Sequence, residues 1–310
     1  MYSSPMQSAL ALVNPHAGGG RAARLVPKLR AWLLANAAHA RLEVAPDIAQ
    51  ALMHIRALPH GSRVVVVGGD GTLNQLLPAL LEGQHVLGLV PWGSGNDFAR
   101  ALGLRGLDWQ QCLQLALNAE PVAMDVGMLH TDTLSHPFAS SLTVGFDSAV
   151  CYRAMVGPRW LRGTPRYLLA TLRELADLQT WDMEVALDGK VVHTGTTLFA
   201  STLNTPTYAA GMPAVPHARA TDGQLDLLVA GDFTPLQALL MLPRLLVGKH
   251  LAHPDVHSYP YRSLEVRSTQ AMPLAADGEF LGSSTAVRIE ILPGRLRAVA
   301  SSAGHSTLAQ

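Results

Sequence analysis

The chain has 310 residues, of which 48% are hydrophobic and 15% charged, so it can bury the core of two domains or of one large one. Its 23 basic and 23 acidic side chains cancel, which argues against nucleic acid as the main partner. Two cysteines, Cys112 and Cys151, make neither a disulfide framework nor a metal spacing, and no apolar run reaches the ~18 residues of a membrane span. The thirteen histidines show no i, i+4 metal spacing. Met1 to Leu10 lacks a basic flank ahead of an apolar run, so no signal peptide is expected and a reducing cytoplasm is the default location.

Ala9 to Val13 reads as a first buried strand, running into Asn14-Pro15-His16-Ala17-Gly18-Gly19-Gly20-Arg21. Glycines that end a strand before a helix let backbone N–H groups approach phosphate oxygens. The helix is expected through Leu25, Leu29, Trp32 and Leu33, with Pro27 marking its first turn. Asn14 either braces the loop or contacts a nucleotide. Arg41 to Ala45 is a second strand, and Pro46-Asp47 opens a helix through Ile48, Leu52 and Ile55.

The third strand organises the chain. Val64 to Val67 is four consecutive valines, the pattern of a parallel strand covered on both faces. It stops at Gly68-Gly69, followed by Asp70, Gly71, Thr72, Leu73 and Asn74. Asp70 stands where a carboxylate could hold a cation or meet a reacting hydroxyl. Leu73, Leu76, Leu77, Leu80 and Leu81 follow helical spacing, and Pro78 inside that run predicts a kink or an early stop. Val86 to Val90 is the next strand. Pro91-Trp92-Gly93-Ser94-Gly95-Asn96-Asp97 is its loop, and a helix starts at Phe98. Three strand–glycine loop–helix units predict a parallel sheet with a ligand crevice beyond the carboxyl ends of its strands.

After an amphipathic helix over Leu107 to Ala119, the grammar changes. Strands are expected at Val122–Leu129 and Phe138–Val144, then a helical stretch at Tyr167–Leu178, then a hairpin about Asp188-Gly189. Further strands are expected at Leu198–Leu203, Leu225–Ala230, Ser263–Ser268 and Val287–Leu292. The predicted organisation is a domain over 1–125 and a β-rich, sandwich-like domain over 126–295, with 296–310 returning to the first and the tail after Ser301 loose. Asp147, after Val144-Gly145-Phe146, reads as a helix cap. Asp222 and Asp226, with nearby backbone carbonyls, could hold a hard cation. Asp277-Gly278-Glu279 puts two acids on a tight turn between strands, where they would suit a metal or a hydroxyl proton.

The ordered set resembles the diacylglycerol kinase catalytic-domain family, which includes bacterial lipid kinases and the sphingosine and ceramide kinases. It is carried by Asn14-Pro15-His16-Ala17-Gly18, Gly68 to Asn74, Pro91 to Arg100, Val144 to Asp147, Asp222-Gly223 and Asp277-Gly278-Glu279. The resemblance implies an α/β plus β fold, with a Rossmann-like N-terminal domain of the NAD kinase and phosphofructokinase kind and a C-terminal β-sandwich. It implies ATP-dependent, Mg²⁺-dependent phosphorylation of a lipid hydroxyl, of diacylglycerol, phosphatidylglycerol or sphingoid type. It implies nucleotide contacts from Asn14, Gly68, Gly69, Asp70, Gly71, Thr72, Leu73, Asn74, Ser94, Asn96 and Asp97. Asp277 and Glu279 would act near the transferred phosphoryl group, with Asp70 the competing base, and a structural cation would sit by Asp222 and the backbone carbonyls of Arg219 and Gln224. Ser94, Gln75 and Ala45 stand where the family more often has Thr, Glu and Thr. Rival readings are an NAD kinase-like enzyme and a nucleotide-binding regulator without catalysis. A lipid acceptor implies transient contact with the inner membrane surface, for which Phe233 to His250 is a candidate segment beside the reading of an ordinary packed helix pair about Pro243. Oligomeric state, a homodimer included, is left open.

Overall fold

The computed structural model describes residues 9–158, 160–161 and 163–309. The expectation made for Met1 to Leu10 falls largely on residues 1–8, outside the described residues. Two compact units are present, one of residues 1–124 with 294–310 and one of residues 125–293.

In the first unit, β1 (Ala9–Val13), α1 (Val26–Asn36), β2 (Ala40–Val44), α2 (Ile48–Arg56), β3 (Arg63–Gly68), α3 (Asp70–Glu82) and β4 (Val86–Pro91) alternate along the chain. The strands pair in parallel in the order β2-β1-β3-β4, with Val64 opposite Leu10 on one side and Leu87 on the other. All four valines of β3 are buried, because helices from βαβ crossovers cover both faces. Pro27 lies in the first turn of α1, where its missing N–H costs nothing. α3 does not stop at Pro78. It continues to Glu82, held by Leu73, Leu76, Leu77, Leu80 and Leu81, all buried; packing of that face outweighs one lost backbone hydrogen bond. α4 (Asp97–Ala101) and α5 (Trp109–Asn118) follow, the latter opened by a capping box of Asp108 and Gln111. The tail is not loose: α9 (Ser302–Ala309) forms, and the Ser301 hydroxyl donates to the Gly103 carbonyl at 2.8 Å. Glycine at 304 permits this close approach to the Leu102–Gly103 turn.

The chain leaves this unit within β5 (Pro121–His130). The second unit holds β6 (Ser135–Phe138), β7 (Ser141–Val144), α6 (Phe146–Val156), α7 (Thr164–Ala176), β8 (Trp181–Leu187), β9 (Lys190–Thr197), β10 (Phe199–Leu203), β11 (Leu225–Ala230), α8 (Pro235–Leu246), β12 (Val256–Tyr261), β13 (Ser263–Ala276) and most of β14 (Glu279–Val299). Along the order β12-β11-β10-β7-β13-β14 each neighbouring pair is antiparallel. β13 pairs with β8 through its first half and with β7 through its second, with a register shift between Arg267 and Met272. A bulged strand that changes partner is how a sandwich turns from one sheet to the other. Leu142, Val144, Met183, Val185, Leu227, Val266, Leu274 and Ile289 meet in one core cluster, and α6 and α8 bury one side each on a second cluster with Phe146, Tyr208 and Phe233. β12 was not expected from the sequence, and α6 starts one residue before the Asp147 that was read as its cap. From Gly294 onward β14 belongs to the first unit, where Arg297 and Ala298 pair in parallel with Val86 and Leu87 of β4.

Candidate active site

Three loops of the first unit meet at the carboxyl ends of β1, β3 and β4. The Asn14 amide donates to the Thr72 hydroxyl at 2.8 Å, and its carbonyl oxygen accepts from the His16 N–H. The Asp70 carboxylate accepts from the N–H of Asp97 at 3.2 Å and of Phe98 at 3.4 Å, so the first acid of α3 also holds the start of α4. Asn96, in the left-handed region at φ 57°, accepts from the Gly93 N–H and returns its amide to the Gly93 carbonyl. A Cβ on Gly69 would lie 2.7 Å from the Gly93 Cα, and one on Gly68 would lie 2.9 Å from the Thr72 side chain. The two glycine turns therefore touch through bare main chain.

Asn14, Gly68 to Asn74, Asn96 and Asp97 are thus brought together. Leu73 and Asn74 are buried supports and Ser94 is exposed. The cavity under the turn, about 10 Å³ between Gly68, Asp70, Leu73, Pro91 and Asn96, has room for about one water. A nucleotide would have to lie outside it, against the turns. Two carboxylates, Asp70 and Asp97, stand beside backbone donors that suit anions. A polyanion is tolerated there if a divalent cation offsets them, and hard oxygen donors are what Mg²⁺ takes.

In the second unit Asp277 and Gly278 have φ of 48° and 85°, the two left-handed residues of a type I′ hairpin between β13 and β14. The Asp277 carboxylate accepts three backbone N–H groups, from Ala139 at 3.0 Å, Ser140 at 2.7 Å and Ser141 at 3.0 Å. This is why the predicted strand Phe138–Val144 is broken into β6 and β7. Glu279 is different. Its carboxylate takes no hydrogen bond from the described residues, and burial, then the Asp277 charge, raise its pKa. A carboxylate held above its ordinary range is suited to accept a proton near neutral pH.

At the predicted cation loop the Gln224 N–H donates to Asp222 at 3.0 Å. The Gly223 N–H donates to Asp125 at 2.8 Å, a residue the sequence reading did not single out. Asn204, also missed and fully buried, donates to the carbonyls of Asp125 and Ala139. It ties the cation loop to the segment that Asp277 holds. An acid inside apolar β5 was the visible signal for Asp125; Asn204 carried none. Arg219 lies exposed in the same loop, three positions before Asp222. Asp147 is not a helix cap. Gly145 takes that position, and the half-buried Asp147 carboxyl accepts from Ser201 and Tyr208 and has its pKa raised by desolvation to about 6.

The fold joins an α/β domain to a β-sandwich, and two family models identify these as the parts of a kinase. The family model "Diacylglycerol kinase catalytic domain" matches residues 8–129, and "YegS C-terminal NAD kinase beta sandwich-like domain" matches residues 140–300. The chain belongs to the diacylglycerol kinase catalytic-domain family and is a lipid kinase. It is 28% identical over 277 residues to a diacylglycerol kinase of Mycobacterium tuberculosis, covering 87% of this chain and 88% of that one. It is 27% identical over 295 residues to a probable YegS-like lipid kinase of Chromohalobacter salexigens, covering 86% and 91%. A crystal structure of a putative diacylglycerol kinase from Bacillus anthracis superposes with a TM-score of 0.75 at 20% identity, over 97% of this chain and 99% of that one.

Proposed function

We propose that this lipid kinase transfers the terminal phosphoryl group of ATP, bound with Mg²⁺, to a hydroxyl of a diacylglycerol, phosphatidylglycerol or sphingoid lipid. The observation that carries the reading is the contact of the Gly69 and Gly93 turns, which meet with no side chain between them beside Asp70 and Asp97. Phosphoryl transfer asks mainly for positioning and charge stabilisation. When bound, the nucleotide supplies the phosphoryl group and the metal offsets its charge.

The protein's own residues divide the remaining work. Gly68 to Thr72 and the Ser94 loop receive the phosphates, and Asn14 orients the Thr72 hydroxyl. Asp70, Asn96 and Asp97 are the groups that would hold the metal and keep the two loops in register. Asp277 is a positioning residue, because three N–H groups already occupy its oxygens. Glu279 takes the acceptor's proton; a loose transition state releases that proton late, so a carboxylate of raised pKa is sufficient. Asp222, with the carbonyls of Arg219 and Gln224, is proposed to hold a second, structural cation. The acceptor resides in a bilayer, and no helix among the described residues is long and apolar enough to cross one, so contact with the membrane is proposed to be peripheral.

The test is kinetic. Asp70→Asn and Glu279→Gln are each expected to lower kcat by ~100-fold or more, with circular dichroism unchanged. Near-normal turnover of either variant rejects the role given to that residue.

A further inference from the structure

α8 has two apolar faces. Ala238, Met241, Leu242 and Leu245 face the core of the second unit, while Leu236, Leu239, Leu240 and Leu246 face solvent at the same helical spacing. Leu240 is 63% exposed. α7 packs beside α8 and repeats the pattern, with Leu168 and Leu172 exposed one turn apart. Trp160, which precedes α7, is 80% exposed. A helix apolar all round belongs in a core or in a lipid environment.

Charge distinguishes the two. The chain as a whole is neutral, yet residues 151–173 carry five arginines and no acid, and residues 233–254 carry Arg244 and Lys249 and no acid. Arg153 is taken up by Glu174 and Asp177. Arg166 donates to the carbonyls of Met155 and Gly157, and Arg173, Arg244 and Lys249 are exposed. Aliphatic side chains, an exposed tryptophan and the exposed cations Arg173, Arg244 and Lys249 form the composition of a surface that lies in the headgroup region of an anionic bilayer.

We infer that the outward face of α7 and α8, with Trp160, docks on an anionic lipid surface, shallowly and without spanning it. The inference rests on the reading of a bilayer-borne acceptor. It extends the segment marked in the sequence, Phe233 to His250, to a second helix and a tryptophan far from it in the chain.

The test uses the full chain and vesicles of phosphatidylcholine with and without phosphatidylglycerol. Expected are sedimentation with the anionic vesicles, weakened by salt, and a loss of binding of about tenfold or more in Leu168→Glu/Leu240→Glu, the size of removing two apolar anchors from a lipid phase. Brominated lipid should quench wild-type fluorescence more than that of Trp160→Phe. The ratio of phosphorylation of vesicle-borne to dispersed short-chain lipid should fall by about the same factor. Failure of the wild type to bind vesicles, unchanged binding of the double variant, or quenching unaffected by Trp160→Phe overturns the inference. So does a wild-type dimer, seen by sedimentation velocity, that the double variant makes monomeric with vesicle binding intact; that result makes the face a contact between copies. Absence of phosphorylation of any lipid, vesicle-borne or dispersed, rejects the kinase reading instead and leaves the vesicle results to stand by themselves.

Discussion

Three carboxylates with the same side-chain chemistry are given different work by their surroundings. Asp70 and Asp277 each take backbone N–H donors on their oxygens, whereas Glu279 takes none from the described residues. The sequence left the proton acceptor open among the three, because the N–H donors to Asp277 come from about 137 positions away in the chain. The glycines were legible, since a strand that ends in Gly-Gly is a local signal, but the reason for Gly69 was not. Its φ of −109° suits any residue; what forbids a side chain is Gly93. Gly69→Ala is therefore expected to part the loops and lower kcat/KM for nucleotide by on the order of 100-fold, with about 1–3 kcal/mol lost from overpacking. Steady-state kinetics and a denaturant melt measure the two. Asp147 makes a prediction of opposite character. Its pKa stands at about 6 against an ordinary 3.8, so the folded state binds the proton more tightly than the unfolded one. Stability from this group is complete below the unfolded value and declines as pH rises from about 4 to about 6. Asp147→Asn should gain on the wild type across that window, by up to about 3 kcal/mol. Parallel melting curves at pH 4 and pH 7 would show it.

Elements whose cause is local matched their expectation, and those whose cause is distant did not. Four valines made β3, and Asp188-Gly189 made the β8–β9 hairpin, because each pattern contains its own reason. The Phe138–Val144 strand is split because Asp277 gathers the N–H groups of residues 139–141. The role of Asp277 as an organiser of two elements can be measured. Asp277→Ala should cost about 3 kcal/mol or more, since it leaves three N–H groups without their charged acceptor. Glu279→Gln should leave stability at pH 7 equal or slightly higher, because it removes a charge that burial disfavours. Equal destabilisation by both would contradict the division of roles drawn between them. Pro78 and α9 teach the same lesson from the other side: buried leucines carry a helix through a proline, and the Gly103–Gly304 approach orders a tail whose composition suggests none.

The chain builds two units, and the acids proposed to serve the nucleotide and the acceptor hydroxyl are divided between them: Asp70 in one, Asp277 and Glu279 in the other. The change from βαβ repeats to hairpins was legible in the sequence because periodicity reports burial on two faces or on one. Buried polar links such as Asn204 were not, since a lone asparagine after a strand is as common in a turn as in a network. We propose that these two sets of residues serve transfer of phosphate from ATP to a lipid hydroxyl. The direct measurement is incubation of the purified chain with ATP labelled on its terminal phosphate, Mg²⁺ and a bacterial membrane lipid extract, with NAD offered in parallel and Glu279→Gln as the control. Label is expected in the organic-phase lipid fraction, dependent on Mg²⁺ and lowered ~100-fold in the variant. Label in NADP, or lipid label undiminished in Glu279→Gln, would contradict it.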